Sequence, residues 1–187
     1  AWMDGENVLV QTSTNLVEVG PEHMEENWQI LALSISDPDP RVILAGTARY
    51  RFTTSGDTIS LFPETGSRLS GWTDIDGGLV VTYLDTFPSL HQLIAIDLAS
   101  GSQTTMATQP TTTSPDEYVE LNGATTDGRY VSWVHSHYRN GYTEANIWGY
   151  DLLTDSTFLA VPAALAEGGY AFGIDSNVNL SHDLVLW

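Results

Sequence analysis

Cysteine is absent from this sequence, which excludes a disulfide framework, a thiolate nucleophile and any zinc site built on sulfur. Lysine is absent too. The six cations are Arg41, Arg49, Arg51, Arg68, Arg129 and Arg139, set against 24 acidic residues for a formal charge of -18. Neutralising a phosphate backbone or an anionic lipid surface takes clusters of Lys and Arg, so neither nucleic acid nor a membrane surface is expected as a partner. The acidic excess suits cations, basic partners or a salty medium, and it equally serves to keep a β-rich surface soluble. No run approaches the roughly 18 apolar residues of a membrane span. The chain opens at Ala1 with neither a start methionine nor a signal-like segment, as a processed or excised piece would.

Helical periodicity is scarce as well. The one stretch that reads as a helical turn is 162–167, followed by the stop signal Gly168-Gly169. What the sequence has instead is short apolar runs, such as Leu79-Val80-Val81, Leu93-Ile94-Ala95-Ile96, Val131-Ser132-Trp133 and Ile147-Trp148-Gly149-Tyr150, separated by Gly, Asp, Asn, Ser, Thr and Pro. Many short strands at close spacing predict an all-β fold, and 42% hydrophobic residues suffice for a sizeable core. The Thr-rich segment 102–114 reads as a polar excursion.

Two segments resemble each other along their length. Residues 76–102 and 127–156 both run turn, strand, loop, strand, turn, and both carry an Asp-Leu before the last turn, at Asp97-Leu98 and Asp151-Leu152. Weaker copies place equivalent positions at Trp2, Ala45, Thr82, Trp133 and Trp187, with intervals scattered around roughly 45 residues. Such a period with variable loops predicts a β-propeller of four-stranded antiparallel blades in about four units. The approximate borders are 1–26 (a half unit), 27–68, 69–115, 116–168 and 169–187 (a half unit). The first and last blades are therefore split. That framing predicts membership of a larger ring, or an arc completed by another copy of the chain, because bare edge strands invite pairing. An immunoglobulin-like sandwich is the rival architecture, but it does not predict one recurring unit.

The segment Gly128-Arg129-Tyr130-Val131-Ser132-Trp133-Val134-His135, with Arg139-Asn140-Gly141 and Asn146-Ile147-Trp148-Gly149-Tyr150-Asp151-Leu152, resembles the blade repeat of TolB-like β-propellers. Trp2-Met3-Asp4-Gly5 and Asp97-Leu98-Ala99-Ser100-Gly101 are similar to parts of the same repeat. His135 stands where the family repeat has an acid. The resemblance implies six-bladed closure and a place outside the cytoplasm: extracellular, cell-surface or periplasmic. Trp133, Trp148, Tyr150 and Trp187 read as wedges between adjacent sheets. Asp97 and Asp151 read as acceptors of turn backbone hydrogen bonds.

One cluster of chemistry-bearing side chains stands out, His135, His137, Tyr138 and Arg139. Imidazoles at i and i+2 of a strand share a face. His135 and His137 are therefore either two ligands of a metal, with His182, His91, Asp85 and Glu144 as candidates for a third, or loop-facing histidines with polar partners. The acid-rich turns Asp37-Pro38-Asp39 and Asp74-Ile75-Asp76, with Asp85, offer oxygens to a structural calcium, although no EF-hand loop is present and ordinary turn chemistry explains them equally. No Gly-x-Ser-x-Gly elbow, phosphate loop or dinucleotide fingerprint occurs. The expected function is a non-catalytic, secreted or cell-surface scaffold that binds protein or glycan or assembles with itself. The alternatives are an accessory or catalytic propeller of a polysaccharide-degrading or peptidase-type enzyme, and a subunit of an extracellular filament or surface layer.

Overall fold

Val, Ile, Thr and aromatic residues pack best on a pleated surface, and the short runs they form are strands wherever the chain is described. The computed structural model describes residues 2–5, 7–34, 36, 39–55, 58–70, 74–110, 117–139, 142–167, 179–181 and 184–186. Among these residues every regular element is a β-strand, all the pairing is antiparallel, and no sheet closes on itself. Among the described residues no helix is long and apolar enough to cross a membrane.

Three meanders follow one another. The first comprises β1 (Trp2–Asp4), β2 (Asn7–Ser13), β3 (Val17–Gly20), β4 (His23–Ser34) and β5 (Arg41–Ser55), with β2 and β3 sharing one side of β4. The second comprises β7 (Asp74–Asp76), β8 (Leu79–Thr86), β9 (Leu90–Asp97) and β10 (Gln103–Pro110). The third comprises β11 (Glu117–Thr126), β12 (Tyr130–Arg139), β13 (Tyr142–Asp151) and β14 (Ser156–Glu167). A last hairpin joins β15 (Asn179–Ser181) to β16 (Leu184–Leu186).

Between the first two meanders, β6 (Thr58–Leu69) pairs with β5 up to Gly66 and then with β8 from Ser67. Gly66 permits the exchange: its φ is +86°, and a Cβ there would lie 1.9 Å from the Thr47 carbonyl oxygen. Only glycine takes that conformation and that approach together.

Successive meanders pack face to face. Leu9, Ile30 and Ala32 of the first meet Ile75, Val80, Ile94 and Ile96 of the second. The opposite face of the second, with Leu79, Val81, Tyr83, Leu93 and Ala95, meets Leu121, Ala124, Val131, Trp133 and Tyr150 of the third. A sheet covered on both faces needs no polar side, which is why Leu79, Val80, Val81, Thr82 and Tyr83 are all buried in unbroken sequence. Trp133 and Tyr150 are wedges between sheets and Trp148 packs beside them, while Trp187 lies outside the described residues. The first strands touch in series, β1 with β7, β7 with β11 and β11 with β15. Gly77 and Gly128, at the first turns of the second and third meanders, abut so closely that a Cβ on Gly128 would lie 2.9 Å from the Gly77 Cα.

Several sequence expectations change here. Segment 162–167 is not helical but the end of β14, with Ala164 opposite Ala145 and Glu167 opposite Tyr142. A six-residue helix satisfies few of its own backbone groups, whereas pairing with β13 supplies partners from Ala164 to Glu167. The Thr-rich excursion is largely strand β10, which buries Met106 and Gln109. Segment 27–68 has no sheet of its own, since β4 runs through position 26 and β5 continues the first sheet. The positions equated above also separate: Trp2 lies on a first strand, Thr82 and Trp133 on second strands, and Ala45 on β5. Short apolar runs look alike locally, and it is the turns that fix which strand each one becomes.

Candidate functional site

Strand β12 is the centre of the third meander, held between β11 and β13, and it carries all four residues of the predicted cluster. His135 stands between Leu121 and Asn146, and His137 between Val119 and Glu144. Alternation puts His135, His137 and Arg139 on the face shared with Val131 and Trp133, and Tyr138 on the other. The cluster therefore divides in two.

On the first face, His137 Nε2 lies 3.1 Å from Glu117 Oε1, and Arg139 Nε lies 3.9 Å from the same oxygen. All three side chains are substantially exposed, which makes this a screened surface network rather than a buried catalytic pair. His135 is half-buried, and burial lowers its proton affinity below the ordinary imidazole value. The neighbouring His137 adds to that effect and Glu144 opposes it. On the second face the Tyr138 ring stacks on Tyr118 at 4.2 Å, and its hydroxyl donates to Glu120 Oε2 at 3.3 Å. Burial and the Glu120 charge raise the Tyr138 phenol.

Among the described residues no group of three or more His, Asp or Glu side chains converges as a metal would require. His182, one candidate third ligand, lies outside the described residues. Two others, His91 and Asp85, are joined to each other, with Nδ1 to Oδ1 at 2.5 Å. Asp85 also accepts from Ser70 Oγ at 2.8 Å and from Arg68 Nε at 3.1 Å, and the His91 ring stacks on Tyr83 at 5.3 Å. Burial pushes the Asp85 carboxyl up, but the hydrogen bonds from His91, Ser70 and Arg68 outweigh it and hold the group below the usual carboxylate range.

The trio of Ser70, His91 and Asp85 does not have relay geometry. A serine nucleophile needs the imidazole nitrogen remote from the carboxylate, whereas here Ser70 and Asp85 both meet Nδ1. This network went unread in the sequence because its members come from three strands. Only the register, which sets Arg68 opposite Asp85 and Asp85 opposite His91, brings them into one row.

Three further acids, Asp74, Asp97 and Asp151, have structural partners. Asp74 Oδ2 accepts from Thr125 Oγ1 at 2.7 Å and from the Thr126 amide at 2.9 Å, tying β7 to β11. Asp97 accepts from the Ser100 amide at 2.6 Å, and Asp151 from the Leu153 amide at 2.9 Å, as read for both. Asp151 also holds Arg129 at 3.1 Å. Asp37 lies outside the described residues. Compared with models of known protein families and with curated proteins, the chain matches none of them.

Proposed function

We propose that the chain is a segment of a TolB-like β-propeller acting outside the cytoplasm as a non-catalytic scaffold for binding protein or glycan. One observation carries the reading: antiparallel meanders follow one another, packed face to face, with their first strands touching in series. Wedge-like sheets arranged about an axis meet in this way, their innermost strands adjacent and both faces of each inner sheet buried. The absence of catalysis is supported by the sites themselves. The His135 cluster is split over two faces of β12, and its charged members are exposed and paired with Glu117. In the Asp85–His91 pair, no hydroxyl among the described residues meets the imidazole nitrogen remote from Asp85. The enzyme alternative calls instead for those histidines and Arg139 to converge with an acid in a deep pocket.

The test is capture on immobilised polysaccharides and extracellular matrix proteins, followed by mass analysis of what is eluted. The expected result is retention of a ligand that leaves with its mass unchanged. Shortened glycan or peptide would overturn the scaffold reading in favour of the enzyme.

A further inference from the structure

The outer face of the first sheet carries a groove that the sequence motifs do not touch. Leu9, Ile30 and Ala32 face the second meander, so the alternate residues Val10, Thr12, Asn27, Gln29 and Leu31 face away from it. Register sets Thr12, Gln29 and Ala45 in one row and Asn27 opposite Thr47 in the next. With Ser13, Thr14, Trp28 and Gly46 these residues line a groove of about 630 Å³. That volume falls within the range of roughly 300–1,000 Å³ typical of small-ligand sites.

Three features define what the groove accepts. Its lining carries no charge, in a chain whose formal charge is -18. Its polar groups are held in place. Thr47 Oγ1 donates to Asn27 Oδ1 at 2.6 Å, and the Asn27 backbone N–H donates to Thr14 Oγ1 at 3.0 Å. The Asn27 side-chain NH₂ and the whole Gln29 amide make no hydrogen bond among the described residues, so donors and acceptors are both left for a guest. Next to the hydroxyl row runs an apolar one, Val10, Leu31 and the exposed Val42, while on the far side Glu25 stands opposite Arg49. A guest that presents C–H faces and uncharged hydroxyls together suits this sequence of rows.

We propose that this groove is a binding site for a neutral oligosaccharide. The inference rests on the scaffold reading and names its ligand class. Anionic glycans are excluded by the same features, since the lining offers no cation and the protein's own field repels them.

The experiment is calorimetric titration of the full chain with maltohexaose, cellohexaose and mannohexaose as neutral probes and tetragalacturonate as an anionic one. Saturable binding of at least one neutral hexaose is expected. Ala45→Trp, which fills the groove from an exposed strand position, is expected to abolish it, and Gln29→Ala to weaken it by about tenfold. Both variants are to retain the parent melting temperature, and His137→Ala is to bind as the parent does. The proposal is overturned if no neutral hexaose binds, if Ala45→Trp and Gln29→Ala bind as tightly as the parent, or if tetragalacturonate binds best. Binding that survives both groove variants removes the groove and leaves the scaffold standing. Cleavage of the hexaose, seen by chromatography of the titrated mixture, removes the scaffold reading instead.

Discussion

The half-buried imidazole of His135 resists protonation in the folded chain, because burial and His137 outweigh Glu144. Its folded pKa lies below that of the unfolded chain, so its contribution to stability is complete above about pH 6.5 and is lost as pH falls through the folded value. Asp85 and Asp151 are likewise held low. Their contributions are complete above about pH 4 and are lost as pH falls further. Two windows of acid destabilisation follow. Replacing His135 with Gln is expected to flatten the fall in urea midpoint that sets in below about pH 6.5 while leaving the loss below about pH 4 intact. An unchanged upper window would show that His135 is not its source. Urea unfolding of both proteins across that pH range makes the comparison.

At the scale of the element, strands β8 and β11 are joined by more than apolar contact. The hydroxyl of Tyr83, a residue 2% exposed, accepts the backbone N–H of Ala124 at 3.0 Å, and burial drives its phenol well above the ordinary tyrosine value. Tyr83→Phe preserves the ring and strands a buried N–H, for an expected loss of about 1–3 kcal/mol. Urea unfolding measures that loss, and faster amide exchange at Ala124 locates it. Such elements were legible in part. The run from Leu79 to Tyr83 reads as strand from composition alone, and Asp97-Leu98 and Asp151-Leu152 mark equivalent turns. Their equivalence extends to the backbone, because the Leu98 amide donates to the Gly78 carbonyl as the Leu152 amide does to that of Arg129. The partner of Tyr83 was not legible, since it sits 41 residues away on another sheet.

At the scale of the molecule, the second meander is a middle layer with no solvent face over most of its inner strands. Leu93 faces the third meander and Ile94 the first, and both are buried. Leu93→Ala and Ile94→Ala are therefore each expected to cost about 2–5 kcal/mol. In a sheet with one wet face, only one of two adjacent residues would carry such a cost. Equilibrium unfolding of the two single variants decides between these arrangements, and a near-zero effect at either position would remove the layered packing.

The sequence alone determined that this chain is built from antiparallel strands, that two of its units share turn chemistry, and that its surface is strongly acidic. Each of these is a property of residue type and near-neighbour order. Only the tertiary structure decided that segment 27–68 extends the first sheet, that 162–167 is strand, and that Arg68, Ser70, Asp85 and His91 form one network. It also decided that a neutral groove opens on the outer face of the first sheet. The reason is common to all four: pairing register and face-to-face packing join residues far apart in the chain, and local sequence carries no record of which strand its partner will be.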